Sequence, residues 1–571
     1  MSLVLDLSII PFTCFGSYLA FSMLEEGDRP KGLYLRTIRG PALGGRPIQE
    51  IFRIELFYGS NSLPFTIHAT PTLLRLESTL GKVDICFASA SLICIRTYGV
   101  TVRFSMDVIG EYDFIFPRSK SKWEVVVNTV SETKLLFSEI EGSIEANSIW
   151  NEEHSDSISI DLVPGETSQA GEFTILEFLS EPVFPQNGSS FEENFLHIQK
   201  DFESWTNQLP NSESMSEDLK NLASYILWSC FVAPSGNLPR NSLYASKNGM
   251  IGLWSWDHAF FTRAFYKSFP RLAWDQFMAP FDFQDEFGAI PDFVNDRYVS
   301  WSFCKPPIHG WVLNSLSQDK DFLDRAKLKD IFEPLSMWTN WWLTFRDDQR
   351  DGMPQYHHGN DSGWDNSTVF NYQPPIKSPD LAAFLVLQME FLAFAAKELG
   401  FNEKAHEWLE KSRQLSMRII PYYWRSDHFV ALDFMNNEIE SQSLQLYLPL
   451  ILGKRLTDNV IQKSVSCLIQ ETGYLTDYGL ATENIYSPYY KSKGYWRGPI
   501  WPAATYIMYE ALRVCGFEKY SSEIRAKFLN LIAHSEFAEN FDALTGEGYH
   551  DFHFSWTASI YFLLLTEKKL I

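Results

Sequence analysis

The chain has 571 residues, which is too long for one ordinary domain and predicts two. Its formal net charge of −23 at pH 7 excludes nucleic acids and anionic membrane surfaces as natural partners, but not a neutral sugar. Hydrophobic residues make up 45% and charged residues 21%, a globular composition with ample material for a core.

The cysteines and the first residues bear on the cellular compartment. Seven cysteines are scattered without a CxxC pair: Cys14, Cys86, Cys94, Cys230, Cys304, Cys467 and Cys515. Such a set fits reduced thiols better than disulfides or a zinc site, so we expect no metal and no cofactor. Residues 1–23 lack a basic segment, and no run matches a membrane span, so we expect a soluble cytoplasmic protein. Its oligomeric state stays open.

Residues 1–180 carry short β-rich runs punctuated by turns, several of which alternate apolar and polar residues. The clearest lie at residues 32–39, 51–57, 91–96, 122–128, 157–162 and 172–177. Alternation turns one face of a strand toward a core. Many strands with few helical segments predict an antiparallel β-sandwich domain over residues 1–180.

Residues 181–214 predict a linker with one helix near 191–205, because Pro, Gly, Asn and Ser surround that helical stretch. From Leu219 to Phe231 the apolar residues follow the i, i+3, i+4 spacing of a helix.

Helical hairpins then recur, at residues 380–399 with 403–418 and at 502–514 with 520–534. Gly400 ends the first helix of the earlier hairpin, as glycine commonly does. Repeated helix pairs indicate a helical toroid or solenoid over residues 215–571.

One polar, Gly-rich stretch at residues 357–367 predicts an active-site loop, because it cannot form a helix interior. Asp365 lies between Trp364 and Asn366, and an apolar wall raises the pKa of a carboxyl group, as a general acid needs. The alternative is an exposed Asp/Asn/Gly turn.

Three other segments carry similar chemistry. Trp254 and Trp256 precede Asp257, so two indoles and a carboxylate can hold a pyranose, or form a buried pair capped by Asp. Arg497 follows Trp496 and can hold sugar hydroxyls or make a structural link to a carboxylate. A further segment, 537–547, carries Glu539 before a turn, which alone also fits a solvated carboxylate.

Two carboxylates in aromatic, Gly-bearing loops of one helical domain are what glycoside hydrolysis requires, an acid and a base or nucleophile. The sequence motifs of other enzyme classes are absent, since the chain has no Walker or Rossmann phosphate loop, no Gly-x-Ser-x-Gly elbow and no HExxH. Asp365 and Glu539 are therefore the predicted pair.

Four motifs together resemble the inverting helical-toroid glycosidases of glycoside hydrolase family 63, a group with trehalase and mannosylglycerate hydrolase. They are Gly252–His258, Ser362–Ser367, Tyr495–Trp501, and Glu539–Gly546 with Phe554–Ala558, in the order that the group shows. The resemblance implies a β-sandwich followed by an (α/α)6 barrel, with Asp365 as general acid and Glu539 as general base.

The same resemblance implies the residues that line the sugar pocket: Trp254, Trp256, Asp257, Lys305, Trp364, Trp496, Arg497, Gly498, Trp501 and Trp556. Two positions depart from the group's pattern, namely Lys305 before two prolines and Asp361 before Ser-Gly. Both lie near expected sugar contacts, so the identity of the sugar is not implied.

The activity expected is inverting hydrolysis of an α-linked glucosyl residue at a non-reducing end. Alternatives are a trehalase-like or a mannosyl- or glucosylglycerate hydrolase. Three rivals fit the sequence less well. A glycoside phosphorylase would not need Glu539, and a carbohydrate-binding protein would need neither Glu539 nor Asp365. A polysaccharide lyase could use Tyr495 and Arg497, but it would leave the two carboxylates unexplained.

Overall fold

The computed structural model describes residues 3–25, 30–40, 49–128, 132–183, 190–211, 216–469 and 473–566. Packing divides the chain into two compact units. The first comprises Met1–Gly252 with Asn295–Tyr298, and the second comprises Leu253–Val294 with Val299–Ile571.

The first unit contains two antiparallel sheets. One has the strand order β1-β2-β3-β9-β14-β13, with β4 beside β3, and the other has the order β10-β11-β12-β15-β8-β7-β6-β5. The strands are β1 (Leu19–Leu24), β2 (Gly32–Thr37), β3 (Gln49–Tyr58), β4 (Asn61–Leu63), β5 (Thr66–Ala69), β6 (Leu74–Glu77), β7 (Lys82–Ser89), β8 (Leu92–Tyr98), β9 (Thr101–Ser105), β10 (Phe114–Ser119), β11 (Lys122–Val127), β12 (Thr133–Glu141), β13 (Ser143–Asn151), β14 (His154–Val163) and β15 (Ala170–Phe178).

Aromatic side chains join the two sheets into a sandwich. Phe52 on β3 and Phe104 on β9 pack edge-on against Phe137 on β12, with ring centroids 5.7 and 5.5 Å apart. All three rings are fully buried, which is the arrangement that alternating strands produce when one face of each sheet meets the other. The predicted β-sandwich is confirmed.

Two helices follow the sheets in the same unit, α1 (Phe191–Gln208) and α2 (Glu217–Cys230). Ser190 begins α1 with a capping box, because its hydroxyl and the Glu193 carboxylate each accept the other residue's backbone N–H. Since α1 packs on β7 and β8, packing groups it with the sheets. The division at residues 180 and 214 stays a prediction, and residues 184–189 and 212–215 of the predicted linker lie outside the described ones.

The second unit is helical. Its helices are α3 (Asp257–Phe265), α4 (Pro270–Met278), α5 (His309–Leu316), α6 (Arg325–Phe345), α7 (Gly359–Ser362), α8 (Pro379–Leu399), α9 (Asn402–Tyr423), α10 (Asp458–Ile469), α11 (Pro502–Val514), α12 (Glu518–Ser535) and α13 (Ser555–Thr566), with 3-10 segments at Phe281–Phe283, Thr368–Phe370 and Leu444–Arg455. Each remaining strand is two residues long: β16 (Phe231–Val232) and β17 (Ser242–Leu243) in the first unit, then β18 (Leu253–Trp254), β19 (Phe293–Val294), β20 (Val299–Ser300), β21 (Ala431–Leu432), β22 (Glu438–Ile439), β23 (Asn540–Phe541) and β24 (Gly548–Tyr549). Strands β18, β19 and β20 form a three-stranded sheet, and the others pair in sequence order.

Six of these helical elements close into a ring. Contacts run from α3 to α5, α8, the Leu444–Arg455 segment, α11 and α13, and α13 returns to α3. Outer helices pair with this ring, as α4 does with α3, α9 with α8 and α12 with α11. The second unit is therefore the predicted (α/α)6 toroid.

Helix α8 corrects one expectation from the sequence. It has 21 residues and is apolar enough to cross a membrane by length and composition, although no such run was expected. In the structure 89% of its most apolar stretch is buried, because α8 is an inner helix of the ring and contacts α5, α6 and α9. Its hydropathy thus reflects a core position.

Candidate active site

Asp365 lies on a tight loop that follows the single helical turn α7. The sequence predicted a loop without helix here, whereas Gly359–Ser362 forms this one turn before Gly363 ends it at φ +73°. A Cβ at Gly363 would lie 2.5 Å from a ring carbon of Trp256, so only glycine allows this approach. The loop is thereby packed onto the Trp254–Trp256 segment.

Asp361 anchors the start of this loop. Its Oδ1 accepts from the Cys304 backbone N–H at 3.1 Å, and its Oδ2 accepts from Arg346 Nη1 and from the His357 N–H, both at 2.9 Å. The side chain is 2% exposed. The sequence placed Asp361 near a sugar contact, but both its oxygens are used within the protein.

Lys305 is a buried ammonium group beside Asp365. Its Nζ donates to the Asn360 carbonyl at 2.9 Å and lies 3.2 Å from Asp292 Oδ1 and 3.7 Å from Asp365 Oδ1. Burial lowers the pKa of Lys305, but the charges of Asp292 and Asp365 outweigh it and hold the pKa above its ordinary value. Lys305 is therefore a cation that gathers acidic groups around it.

Two buried carboxyl groups complete this side of the site. Asp257 begins α3, directly after Trp256, and Asp292 precedes β19. Burial raises the pKa of both groups, and the Lys305 ammonium partly opposes that rise. Asp365 in contrast is about one-third exposed, at 32% of its side chain. It therefore lies where a substrate can reach it.

Glu539 is the carboxyl group on the other side. It lies just before β23, is 4% exposed and accepts a hydrogen bond from the Tyr495 hydroxyl at 3.1 Å. Burial, together with the charges of Asp551 and Asp365, raises the pKa of Glu539 to about 8, and the Tyr495 hydroxyl opposes this shift. Tyr495 precedes Trp496, which packs on Trp364 beside Asp365 with ring centroids 4.7 Å apart, so the two carboxyl groups belong to one site.

Five buried tryptophans form a continuous cluster at this site. The ring centroids of Trp256 and Trp556 lie 5.0 Å apart, those of Trp364 and Trp496 lie 4.7 Å apart, and Trp496 stacks on Trp501 at 4.1 Å. The indole N–H groups of Trp496 and Trp556 are buried without a hydrogen-bond partner among the described residues. Such donors are suited to a ligand's oxygen atoms.

Three of the predicted sugar-binding residues have other neighbours. Trp254 lies on β18 and packs on Phe293, with ring centroids 4.7 Å apart. Arg497 donates from Nε to the Asn366 carbonyl at 2.5 Å, so it makes a structural link to a backbone carbonyl and not to a carboxylate. Gly498 has φ +151°, and a Cβ there would lie 2.4 Å from the Lys491 carbonyl oxygen. Arg497 and Gly498 thus shape the loop next to the site.

Sequence reasoning missed Asp292 and the role of Tyr495. Asp292 belongs to none of the four motifs, although its partner Lys305 was singled out in the sequence. Tyr495 opens the motif that contains Arg497, and its φ of +63° is unusual for a non-glycine residue. Burial of Glu539 beside it could not be read from the sequence.

Comparison with known proteins assigns the family. Residues 250–557, more than half of the chain, match the family model described as the mannosylglycerate hydrolase MGH1-like glycoside hydrolase domain. The chain belongs to this family. It is a glycoside hydrolase of the family 63 type, as the four motifs indicated.

The relatives are distant. The mannosylglycerate hydrolase of Thermus thermophilus is 23% identical over 57% of this chain and 97% of its own length. A structure of the family 63 mannosylglycerate hydrolase from the same species, in complex with glucose, is 20% identical, with a TM-score of 0.53 over 61% of this chain and 99% of that one. A bacterial glucoamylase complexed with acarbose is 13% identical and matches 99% of this chain and 94% of its own, with a TM-score of 0.61. The two structures support the fold alone, and the last one includes the β-sandwich.

Proposed function

We propose that this glycoside hydrolase removes an α-linked glucosyl residue from the non-reducing end of a disaccharide, an oligosaccharide or a small glucoside, with inversion. Asp365 is the general acid and Glu539 is the general base. One observation carries the proposal: carboxyl groups from two distant segments belong to one indole-lined site, in the fold of a family that hydrolyses glycosides.

The surroundings of Asp365 suit an acid that must lose its proton during the reaction. Its side chain is partly exposed, so a glycosidic oxygen can approach it. When the proton moves to that oxygen, Asp365 becomes a carboxylate 3.7 Å from the Lys305 ammonium. The ammonium stabilises the charge that develops there, which favours bond cleavage.

The surroundings of Glu539 suit a strong base. A carboxylate with a pKa near 8 binds a proton more tightly than an ordinary one, so it removes a proton from water more effectively. The Tyr495 hydroxyl donates to Oε1 and so helps to hold the carboxylate in place. Because the base must be ionised, we expect kcat/KM to rise with pH along a limb above the ordinary glutamate range.

The sugar and the aglycone are the finer part of the proposal. The curated relatives are mannosylglycerate hydrolases, which favours an α-mannosyl or α-glucosyl glycerate as the second candidate. An α-glucoside is preferred here on the family resemblance of the four motifs. The two candidates differ in the sugar and in the charge of the aglycone, so a single panel separates them.

The test is NMR of the products from trehalose, other α-glucosides, mannosylglycerate and glucosylglycerate. Release of β-glucose by the wild type, lost in Asp365→Asn and in Glu539→Gln, is the expected result. Glu547→Gln is the matched control, because this exposed glutamate lies on the same segment and should leave the rate unchanged.

Other outcomes decide between the alternatives. Release of α-glucose would show retention and overturn the role of Glu539 as a base. Turnover only with inorganic phosphate would indicate a phosphorylase, and sugar binding without turnover of any donor would indicate a binding protein. Full activity of Asp365→Asn would remove Asp365 from the mechanism.

A further inference from the structure

The segment Gly494–Arg497 contacts Glu539 directly and also contacts the residue next to Asp365. On one side, the Tyr495 hydroxyl donates to Glu539. On the other side, the three other residues of the segment bind Asn366, the residue directly after Asp365. One short stretch of chain thus connects the acid loop with the base.

Asn366 uses three of its polar groups in this connection. Its Oδ1 accepts from the Trp496 backbone N–H at 3.0 Å, and its Nδ2 donates to the Gly494 carbonyl at 3.0 Å. Its own carbonyl accepts from Arg497 Nε. A side-chain amide that accepts one bond from a backbone segment and donates another to it fixes both its distance from that segment and its orientation.

The segment itself is held rigidly. Tyr495 has φ +63°, a conformation that a bulky residue adopts only when its surroundings impose it. Its carbonyl accepts from Trp501 Nε1 at 3.0 Å, and Trp501 stacks on Trp496. Therefore a group bonded to this segment is bonded to a fixed support.

The rest of the acid loop has its anchors before Asp365 or beyond Asn366. Before Asp365, the Asp361 carboxylate accepts from the Cys304 backbone N–H. After Asn366, the Ser367 hydroxyl donates to Ser443 Oγ at 2.9 Å. The Asn366 amide therefore ties the loop to the segment that also binds Glu539, and the Arg497 side chain adds a further bond there, to the Asn366 carbonyl.

We propose that Asn366 is a positioning residue, whose side-chain amide sets the place of the acid Asp365 relative to the base Glu539. The inference rests on the proposed function, because it presupposes those two roles. A displacement of about 1 Å can cost on the order of 100-fold in rate, so loss of this amide should be visible in kcat.

The test compares two donors that differ in their need for an acid. The alkoxide of an alkyl α-glucoside is a poor leaving group, so Asp365 must protonate the glycosidic oxygen and the alcohol leaves, whereas α-glucosyl fluoride releases fluoride with little need of a proton. In Asn366→Ala we expect kcat on the alkyl glucoside to fall on the order of 100-fold, with KM nearly unchanged and a much smaller loss on the fluoride. A general structural defect would lower kcat on both donors by the same factor.

Two controls accompany this variant. Asn366 is exposed, so Asn366→Ala should fold normally, which thermal unfolding checks. Asn371→Ala is the matched control, because it lies on the same stretch and its amide nitrogen has no hydrogen-bond partner among the residues that the structure describes. It should leave both rates unchanged.

Asp365→Asn separates a failure of the inference from a failure of the proposed function. In one outcome, Asp365→Asn keeps its rate on the fluoride while Asn366→Ala lowers the rates on both donors alike or on neither. The inference is then overturned and the proposed acid stands. If Asp365→Asn lowers the rate on neither donor, or lowers both rates alike, Asp365 is not the acid and the role of Asn366 is refuted with it.

Discussion

The two sides of the candidate site hold their carboxyl groups in opposite ways. Asp365 is one-third exposed and lies beside the Lys305 ammonium, within a group that also includes Asp257 and Asp292. Glu539 is almost completely buried and accepts from neutral donors, the Tyr495 hydroxyl and the Asp551 backbone N–H. One side is a charged network and the other is a desolvated acid.

The difference shows that the resting charges alone do not assign the roles. Desolvation makes Glu539 reluctant to ionise, yet a base has to be ionised before it can accept a proton. The ammonium beside Asp365 favours the product of acid catalysis, the carboxylate. Under the proposed mechanism, each side is thus adapted to the state that its residue reaches during the reaction.

The largest effect should come from removing the cation of the acid side. Lys305→Met leaves Asp257, Asp292 and Asp365 without the buried ammonium that they share, and loss of one partner of a buried pair costs about 3–5 kcal/mol. We expect a strong loss of thermal stability together with activity. Lys404→Met, which removes an exposed ion pair with Glu333, is the control and should change little. Normal stability of Lys305→Met would refute the charged-network description.

On the base side, Glu539→Gln should stabilise the protein in a pH-dependent way. The unfolded glutamate ionises near pH 4.5, but the folded one keeps its proton to about pH 8, so the folded state binds more protons between these values. Its stability therefore falls as the pH rises through this range, by about 1.4 kcal/mol for each pKa unit. The neutral amide removes that loss.

Thermal unfolding at pH 5 and pH 8 measures this effect. The gain of Glu539→Gln over the wild type should be larger at pH 8 than at pH 5. A gain that is equal at both values would mean that Glu539 titrates like a solvated glutamate. Glu547→Gln, on the same segment and exposed, again serves as the control.

A smaller effect is expected from Tyr495→Phe. The lost hydroxyl had stabilised the ionised form of Glu539, so the pKa of Glu539 should rise further. Because a hydrogen bond to a charged group contributes about 1.5–3 kcal/mol, the acidic limb of kcat/KM should move up by roughly one to two pH units. The rate should recover at high pH. A rate loss that is constant with pH would instead indicate displacement of Glu539.

The smallest change should come from Asp551→Asn, with the opposite sign. The charge of Asp551 raises the pKa of Glu539, whereas its backbone N–H lowers it, and only the charge is lost in this variant. The acidic limb of kcat/KM should therefore move down by less than about one pH unit, as is usual for one neighbouring charge at partial screening. A limb that stays in place would show that the charge of Asp551 does not contribute to the pKa of Glu539.

Much of the fold could be predicted from local pattern. Alternation located β2, β3 and β15, and the 3.6-residue period with Gly400 located α8, because these signals arise from neighbouring residues. The residue bounds of the compact units were harder. The sequence of α1 shows that it is a helix but not that it packs on β7, which is a tertiary contact.

Less of the site could be predicted. The motifs identified Asp365 and Glu539 as candidates, and the structure brings them into one site, but the apolar wall expected around Asp365 includes a buried lysine. Asp292 and Lys305 are separated by the β19–β20 hairpin, so their pairing depends on the fold. Asp361 is a common type of residue for a sugar contact, and only its three backbone and side-chain donors show that it serves as an anchor.

The contact of α13 with α3 also bears on the synthesis of the protein. Helix pairs such as α8 with α9 can form as soon as they leave the ribosome, because their partners are adjacent in the chain. The base-bearing segment and α13 are translated after all the other helices of the ring. A nascent chain that already carries the complete Asp365 loop is therefore still without Glu539 and its closing helix, so under the proposed mechanism hydrolysis can begin only when translation of the toroid is finished.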